Sequence, residues 1–253
     1  MHKKIFTGAV ISLSLLSFAN AEISTLNEAI NKAGKQRMLS QKMMKDYSMV
    51  GMNMKFNNPS KQLVASIAIF DSTLDELSKF IKDKEASKAL EDVQVLWKKI
   101  KPQFLATPDK SKALELFNLV EKLLNATDRA TNLITKSAKV SSGKIINISG
   151  RQRMLAQRLG NLYMLKVWSV GMEDAKLQSS IKEFASAQKT LEEFPKNTDK
   201  IKSTLLDVKK DFAFFEVLGA SKSKKYIPSL IARSSNKITE KMNIVTKLYV
   251  EIK

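Results

Sequence analysis

The chain has 253 residues, with 43 Lys and Arg against 25 Asp and Glu, a formal net charge of +18, no cysteine and one histidine, His2. These absences exclude a disulfide framework, Ser-His-Asp and Cys-His catalysis in the folded body, and the His- and Cys-ligated zinc, haem and iron–sulfur sites; no metal or cofactor is expected. The positive balance attracts small anions or a negative surface. Its cations are dispersed along the chain, with Lys222-Ser223-Lys224-Lys225 the densest cluster, and the chain opens on an export signal, so nucleic acid is not an expected partner.

That export signal comes first in chain order. His2, Lys3 and Lys4 precede an uncharged apolar run, Ile5 to Phe18, and then Ala19-Asn20-Ala21, an A-x-A cleavage site. The three features predict a signal peptide over 1–21 and a mature chain beginning at Glu22. The apolar run is short for a bilayer core about 30 Å thick.

From there on, apolar residues recur at three- and four-residue spacing. Ile67, Phe70, Leu74 and Leu77 form one stripe; Val93, Leu96, Trp97, Ile100 and Phe104 form another; Leu205, Val208 and Phe212 continue the pattern. Asn58-Pro59 and Thr107-Pro108 each offer a cap followed by proline at the first helical position. Further breaks fall at Ser141-Ser142-Gly143, Pro195 to Asp199 and Gly219 to Lys225. The pattern predicts about eight helices in two sets of four, over 22–141 and 142–253.

The two sets repeat one another. Residues 30–41, INKAGKQRMLSQ, align with residues 146–157, INISGRQRMLAQ, and Tyr47 then aligns with Tyr163. Ile67, Phe70, Leu77 and Phe80 answer Ile181, Phe184, Leu191 and Phe194, and Phe104 answers Phe212. The chain reads as a tandem duplication, and the fold class as all-α: two tandem up-and-down four-helix bundles after a cleaved signal peptide.

At about 100° per residue, Asn31, Gly34, Arg37, Met38 and Gln41 share one face of the first repeated helix. Asn147, Gly150, Arg153, Met154 and Gln157 share the same face of the second. A mid-helix glycine costs about 1 kcal/mol relative to alanine, so its recurrence suggests close approach of a helix or a ligand. Arginine presents two parallel donors to a planar oxyanion, and the amides add donors without charge. Two readings stay open: the arginines pair with carboxylates on neighbouring helices, or they hold a small flat anion such as nitrate, nitrite or a carboxylate.

The repeated block I-N-x-[AS]-G-x-Q-R-M-L-x-Q resembles the signature of PilJ-type sensor domains, found at the periplasmic end of some chemoreceptors. It is also similar to the P-box of nitrate/nitrite sensor histidine kinases, whose sensor modules are four-helix bundles. The resemblance implies a periplasmic location and a non-enzymatic sensor that binds a small anion, nitrate or nitrite foremost. It also implies a membrane chemoreceptor or sensor kinase as partner. In those kinases the P-box arginines of two subunits grip one nitrate, which carries over to Arg37 and Arg153. Gly34 and Gly150 would allow close approach, with Asn31, Asn147, Gln41 and Gln157 beside them. The kinase P-box reads RMQSYR, whereas residues 37–42 and 153–158 read RMLSQK and RMLAQR; that departure bears on the ligand more than on the fold.

Two arrangements remain. A turn near Ser141 to Gly143 places the second set beside the first, so that one chain mimics the kinase homodimer and Arg37 meets Arg153. A continuous helix through residues 140 to 147 stacks the sets end to end, and a two-fold site then needs a homodimer. Two rival functions are weighed. The first is a ligand-free adaptor of a periplasmic receptor complex. The second is Cu(I) binding through Met43, Met44, Met49, Met52 and Met54. Trp97 and Trp168 read as packing anchors. The carboxylates of Asp75-Glu76, Glu91-Asp92, Glu173-Asp174 and Glu192-Glu193 read as solvated helix faces, since adjacent residues diverge by about 100° and form no acid/base dyad.

Overall fold

A computed structural model describes residues 22–139, 142–220 and 226–252. The expected signal peptide lies outside the described residues, as do residues 140 and 141 of the expected link and residues 221–225 of the expected break. The described chain forms eight α-helices: α1 (Leu26–Gly51), α2 (Pro59–Phe80), α3 (Lys84–Leu105), α4 (Ala113–Ala138), α5 (Gly143–Val167), α6 (Asp174–Glu192), α7 (Asp199–Ala220) and α8 (Pro228–Glu251). None of them is long and apolar enough to cross a membrane.

Local chemistry explains the starts of α1, α2 and α3. Thr25 and Glu28 form a capping box on α1, each side chain accepting the other's backbone N–H at 3.2 Å. The Asn58 side chain caps α2 by accepting from the Lys61 N–H, with Pro59 in the first turn. The turn between α2 and α3 holds neither glycine nor proline and is not marked by sequence. Asp83 makes it, accepting from the Ala86 N–H at 2.9 Å. Thr107-Pro108 is a break, but Pro108 is not the first helical residue. Asp109 caps a short 3-10 turn, Lys110–Lys112, and α4 starts only at Ala113.

Within each set, consecutive helices pack side by side and the fourth returns to the first. Thus α1 touches α2 and α4, and α5 touches α6 and α8. The sets meet chiefly through α1 against α5. Lys139 takes a left-handed conformation (φ 50°) at the end of α4, and α5 begins at Gly143, so the helix does not run on through 140–147. The sets therefore lie side by side. α1 and α5 run parallel and in register, with the Gly150 Cα 3.6 Å from where a Gly34 Cβ would stand.

This placement accounts for a feature of sequence. α1 and α5 each face neighbours of their own set and also the opposite central helix, so they are buried almost all round, polar residues included. The outer helices keep one apolar face. One hydrophobic core runs through both sets. Phe70, Phe117, Phe184 and Phe215 are fully buried in it, each contributing roughly 1.5–3 kcal/mol by leaving water. Met43, Met44 and Met49 are core residues of α1, while Met52 and Met54 pack at its edge.

Ring packing revises one element of the repeat. Phe70 packs on Trp97 at 4.3 Å, and Phe184 stacks on Phe212 at 4.1 Å. Phe212 thus occupies the place of Trp97, not of Phe104. Several of the paired carboxylates lie in exposed ion pairs, among them Lys79–Asp75, Lys88–Glu91 and Arg129–Asp92.

Candidate functional site

The α1–α5 seam is built on two glycines and two arginines. An alanine Cβ at Gly34 would lie 3.2 Å from Arg37 Nη2 and 3.3 Å from Arg153 Nη2. One at Gly150 would lie 3.2 Å from Arg153 Nη2 and 3.3 Å from Arg37 Nη2. The missing side chains leave room for both guanidinium tips at the same point of the seam. Each arginine then crosses to the other helix. Arg37 Nη2 donates to the Asn147 carbonyl at 3.1 Å, and Arg153 Nη2 donates to the Asn31 carbonyl at 3.1 Å.

The symmetry ends one atom away. Arg37 Nη1 donates to Asp128 Oδ1 on α4 at 2.6 Å, a charge-assisted contact. Arg153 Nη1 donates to Asn243 Oδ1 on α8 at 3.2 Å, and Arg153 makes no ion pair among the described residues. Arg37 and Arg153 are 1% and 3% exposed. Burial pushes both below the ordinary arginine range; Asp128 works against this at Arg37, whereas the facing Arg37 guanidinium adds to it at Arg153. Nε of each arginine is buried without an acceptor.

Flanking charges repeat the imbalance. Arg151, beside Asp128, pairs with it at 3.1 Å and also with Glu183. The equivalent position on α1 is Lys35, whose pKa is lowered first by burial and then by Arg153.

Of the residues expected at the site, Arg37, Arg153, Gly34 and Gly150 meet at one point. Asn31 and Asn147 contribute backbone carbonyls, not side-chain amides; the Asn147 amide donates to Asn132 at 2.8 Å. Gln41 and Gln157 lie one turn further along and form a separate layer. Gln41 donates to Glu121 and accepts from Asn161 at 3.0 Å. Gln157 donates to Thr239 at 2.8 Å and accepts from Lys45 Nζ at 2.6 Å. Arg158 clamps Glu121 with two bonds at 2.5 and 2.6 Å.

Lys45 went unremarked in sequence. It is fully buried, passes over Gly160, and reaches Asn236 Oδ1 at 2.6 Å. Burial pulls its pKa down to about 7, against a smaller opposing pull from Asp46. Also missed were Gln36 and Gln152, which donate to the Phe70 and Phe184 carbonyls at 3.0 and 3.1 Å. The Tyr47 and Tyr163 hydroxyls accept from the Asp109 and Ile227 N–H groups, each at 2.9 Å. The in-register recurrence of Gln and Tyr was the available signal. Trp168 stands at the C-cap of α5, about 22 Å along the helix from Arg153, so its packing against Tyr47 is remote from the arginines.

Residues 18–121 match the family described as PilJ: Type IV pili methyl-accepting chemotaxis transducer N-term. That stretch, which takes in α1 to the first part of α4, is similar to the PilJ domain, a sensory domain family. No curated protein and no solved structure matches the chain.

Proposed function

We propose that the seam between Arg37 and Arg153 binds a small planar oxyanion, nitrate or nitrite first, and that the protein is an exported, non-enzymatic binding protein of sensor type. The observation that carries this reading is Arg153. It is a buried cation whose acceptors are two neutral oxygens and whose nearest strong charge is a second arginine. Such a charge costs several kcal/mol unless a counter-charge joins it. A planar monoanion supplies that charge and takes paired N–H donors of the kind guanidinium offers. Each unpartnered Nε–H adds a donor, and the facing glycines keep side-chain bulk away from the guanidinium tips.

The PilJ match supports a sensory role, and with the expected signal peptide it supports the periplasm as compartment. The partner on this reading is a membrane chemoreceptor or sensor kinase that reads the occupied seam. The second half acts as a further PilJ-like module, so the site lies within one chain, a monomeric pseudo-dimer, with side-chain help from Gln41 and Gln157 confined to the adjoining layer.

Isothermal titration calorimetry with nitrate, nitrite, sulfate and acetate tests the reading. Nitrate or nitrite should bind at one ion per chain, and the Arg37→Ala/Arg153→Ala double variant should give no heat. One ion per two chains would move the site to a homodimer. Silence with every anion at millimolar concentration, with no rise in melting temperature, would overturn the reading. It would leave a ligand-free adaptor, the alternative favoured by Arg37, whose charge Asp128 already meets.

A further inference from the structure

The two arginines of the seam do not present equal charge, and the cause lies on the outer helices. α4 places Asp128 at Arg37, whereas α8 places Asn243 at the same guanidinium nitrogen of Arg153. Aspartate and asparagine are nearly the same shape, so the substitution leaves the contact and removes the charge. The next turn repeats it: α4 offers Glu121 to Gln41, and α8 offers Asn236 to Gln157. Asp128 is also shared with Arg151, but Arg151 has Glu183 as a second carboxylate, which leaves Asp128 to balance Arg37.

We infer that Asp128 and Asn243 together set the valence of the ligand: the seam accepts a monoanion, held off the pseudo-two-fold axis on the Arg153 side, and rejects dianions such as sulfate. The inference rests on the seam being an anion site. Its physics is that of counting charge around two buried guanidinium groups, Arg37 and Arg153, whose outer partners Asp128 and Asn243 reach the surface. Arg37 with Asp128 is neutral, and Arg153 with Asn243 carries one positive charge; Lys35, the other cation on that side, has Glu76 as its opposing charge. One negative charge completes that set, and a second would be buried without a partner. Asn243 is therefore the specificity-determining position, and Asp128 prevents the site from demanding a dianion.

Two isosteric variants test this, with nitrate and sulfate as probes and circular dichroism to verify the fold. Asn243→Asp supplies the missing carboxylate in place. Nitrate binding should weaken by about 30-fold or more, as befits loss of a charge-assisted contact, while the anion-free melting temperature rises. Asp128→Asn frees Arg37, and the ratio of sulfate to nitrate affinity should rise by about 10-fold or more, on the same scale. If the unaltered protein binds nitrate and both variants bind nitrate and sulfate as it does, the inference falls while the proposed function stands. If the unaltered protein binds neither ion, the proposed function falls and takes the ligand assignment with it.

Discussion

The first half of the seam is saturated with charge pairing and the second half is not. At Arg37 the sequence of contacts runs from guanidinium to Asp128 to Arg151 to Glu183, alternating in sign. At Arg153 it runs to Asn243 and ends, with Lys35 rather than a carboxylate alongside. Backbone geometry is nearly identical on the two sides, down to the 3.1 Å bonds to the opposite asparagine carbonyls. The difference shows that a repeated motif can keep its scaffold while one half becomes a structural ion pair and the other keeps an open charge.

The largest effect expected from breaking this comparison concerns Lys45, whose equivalent on α5 is neutral Asn161. Lys45 has a folded pKa of about 7, below its unfolded value of 10.5. Between those values the unfolded chain binds more protons, so stability should rise with pH across that window. Below pH 7 the burial penalty is fully present. The Lys45→Met variant should flatten the pH profile of the unfolding free energy by up to about 1.4 kcal/mol per pH unit in that range. Denaturant titrations at pH 7, 8 and 9 check it; an unchanged slope would contradict the assignment.

Next come the arginines themselves. Arg153→Met should remove the anion response and stabilise the anion-free protein by roughly 1–3 kcal/mol, because an uncompensated charge leaves the interior. Arg37→Met should destabilise it by a similar amount, since Asp128 loses its buried partner. Thermal melts of the pair separate an asymmetric seam from a symmetric one, in which both would shift in the same direction.

A smaller effect is expected at the far end of the seam. Gly51 packs under Trp168, and an alanine Cβ there would meet the indole at 2.2 Å. Gly51→Ala should cost about 2 kcal/mol by overpacking, measured by urea unfolding. The smallest effects belong to Gly34→Ala and Gly150→Ala. Each gains about 1 kcal/mol of helix propensity and spends it on moving two guanidinium tips, so near-zero and nearly equal changes in melting temperature are expected. Both should weaken anion binding equally, as their matching distances imply.

Much of this was legible in the sequence. Sparse glycine and proline with three- and four-residue spacing announced helices, and the block INKAGKQRMLSQ against INISGRQRMLAQ located both halves of the seam. Less legible were the residues that give the seam its chemistry. Asp128, Glu121, Asn236 and Asn243 are ordinary polar residues on outer helices, and only tertiary packing turns the first and last toward the seam arginines and the other two toward the glutamine layer. Lys45 escaped for a similar reason: a lysine inside a helix looks solvated until a neighbouring Gly160 opens a channel for its stem. The two asparagines of the motif drew attention to their amides, whereas the arginines use their carbonyls, which every residue has.

The reversal after Lys139 has a further consequence for how such a seam is tuned. In an assembly of two identical chains, every side chain on one side of the axis is imposed on the other, so an acid at one arginine is an acid at both. With α1 and α5 on a single polypeptide, each side of the axis mutates alone. Closing the seam is then a first-order event within one chain, and on the proposed reading its occupancy would follow the anion's concentration and not the protein's own.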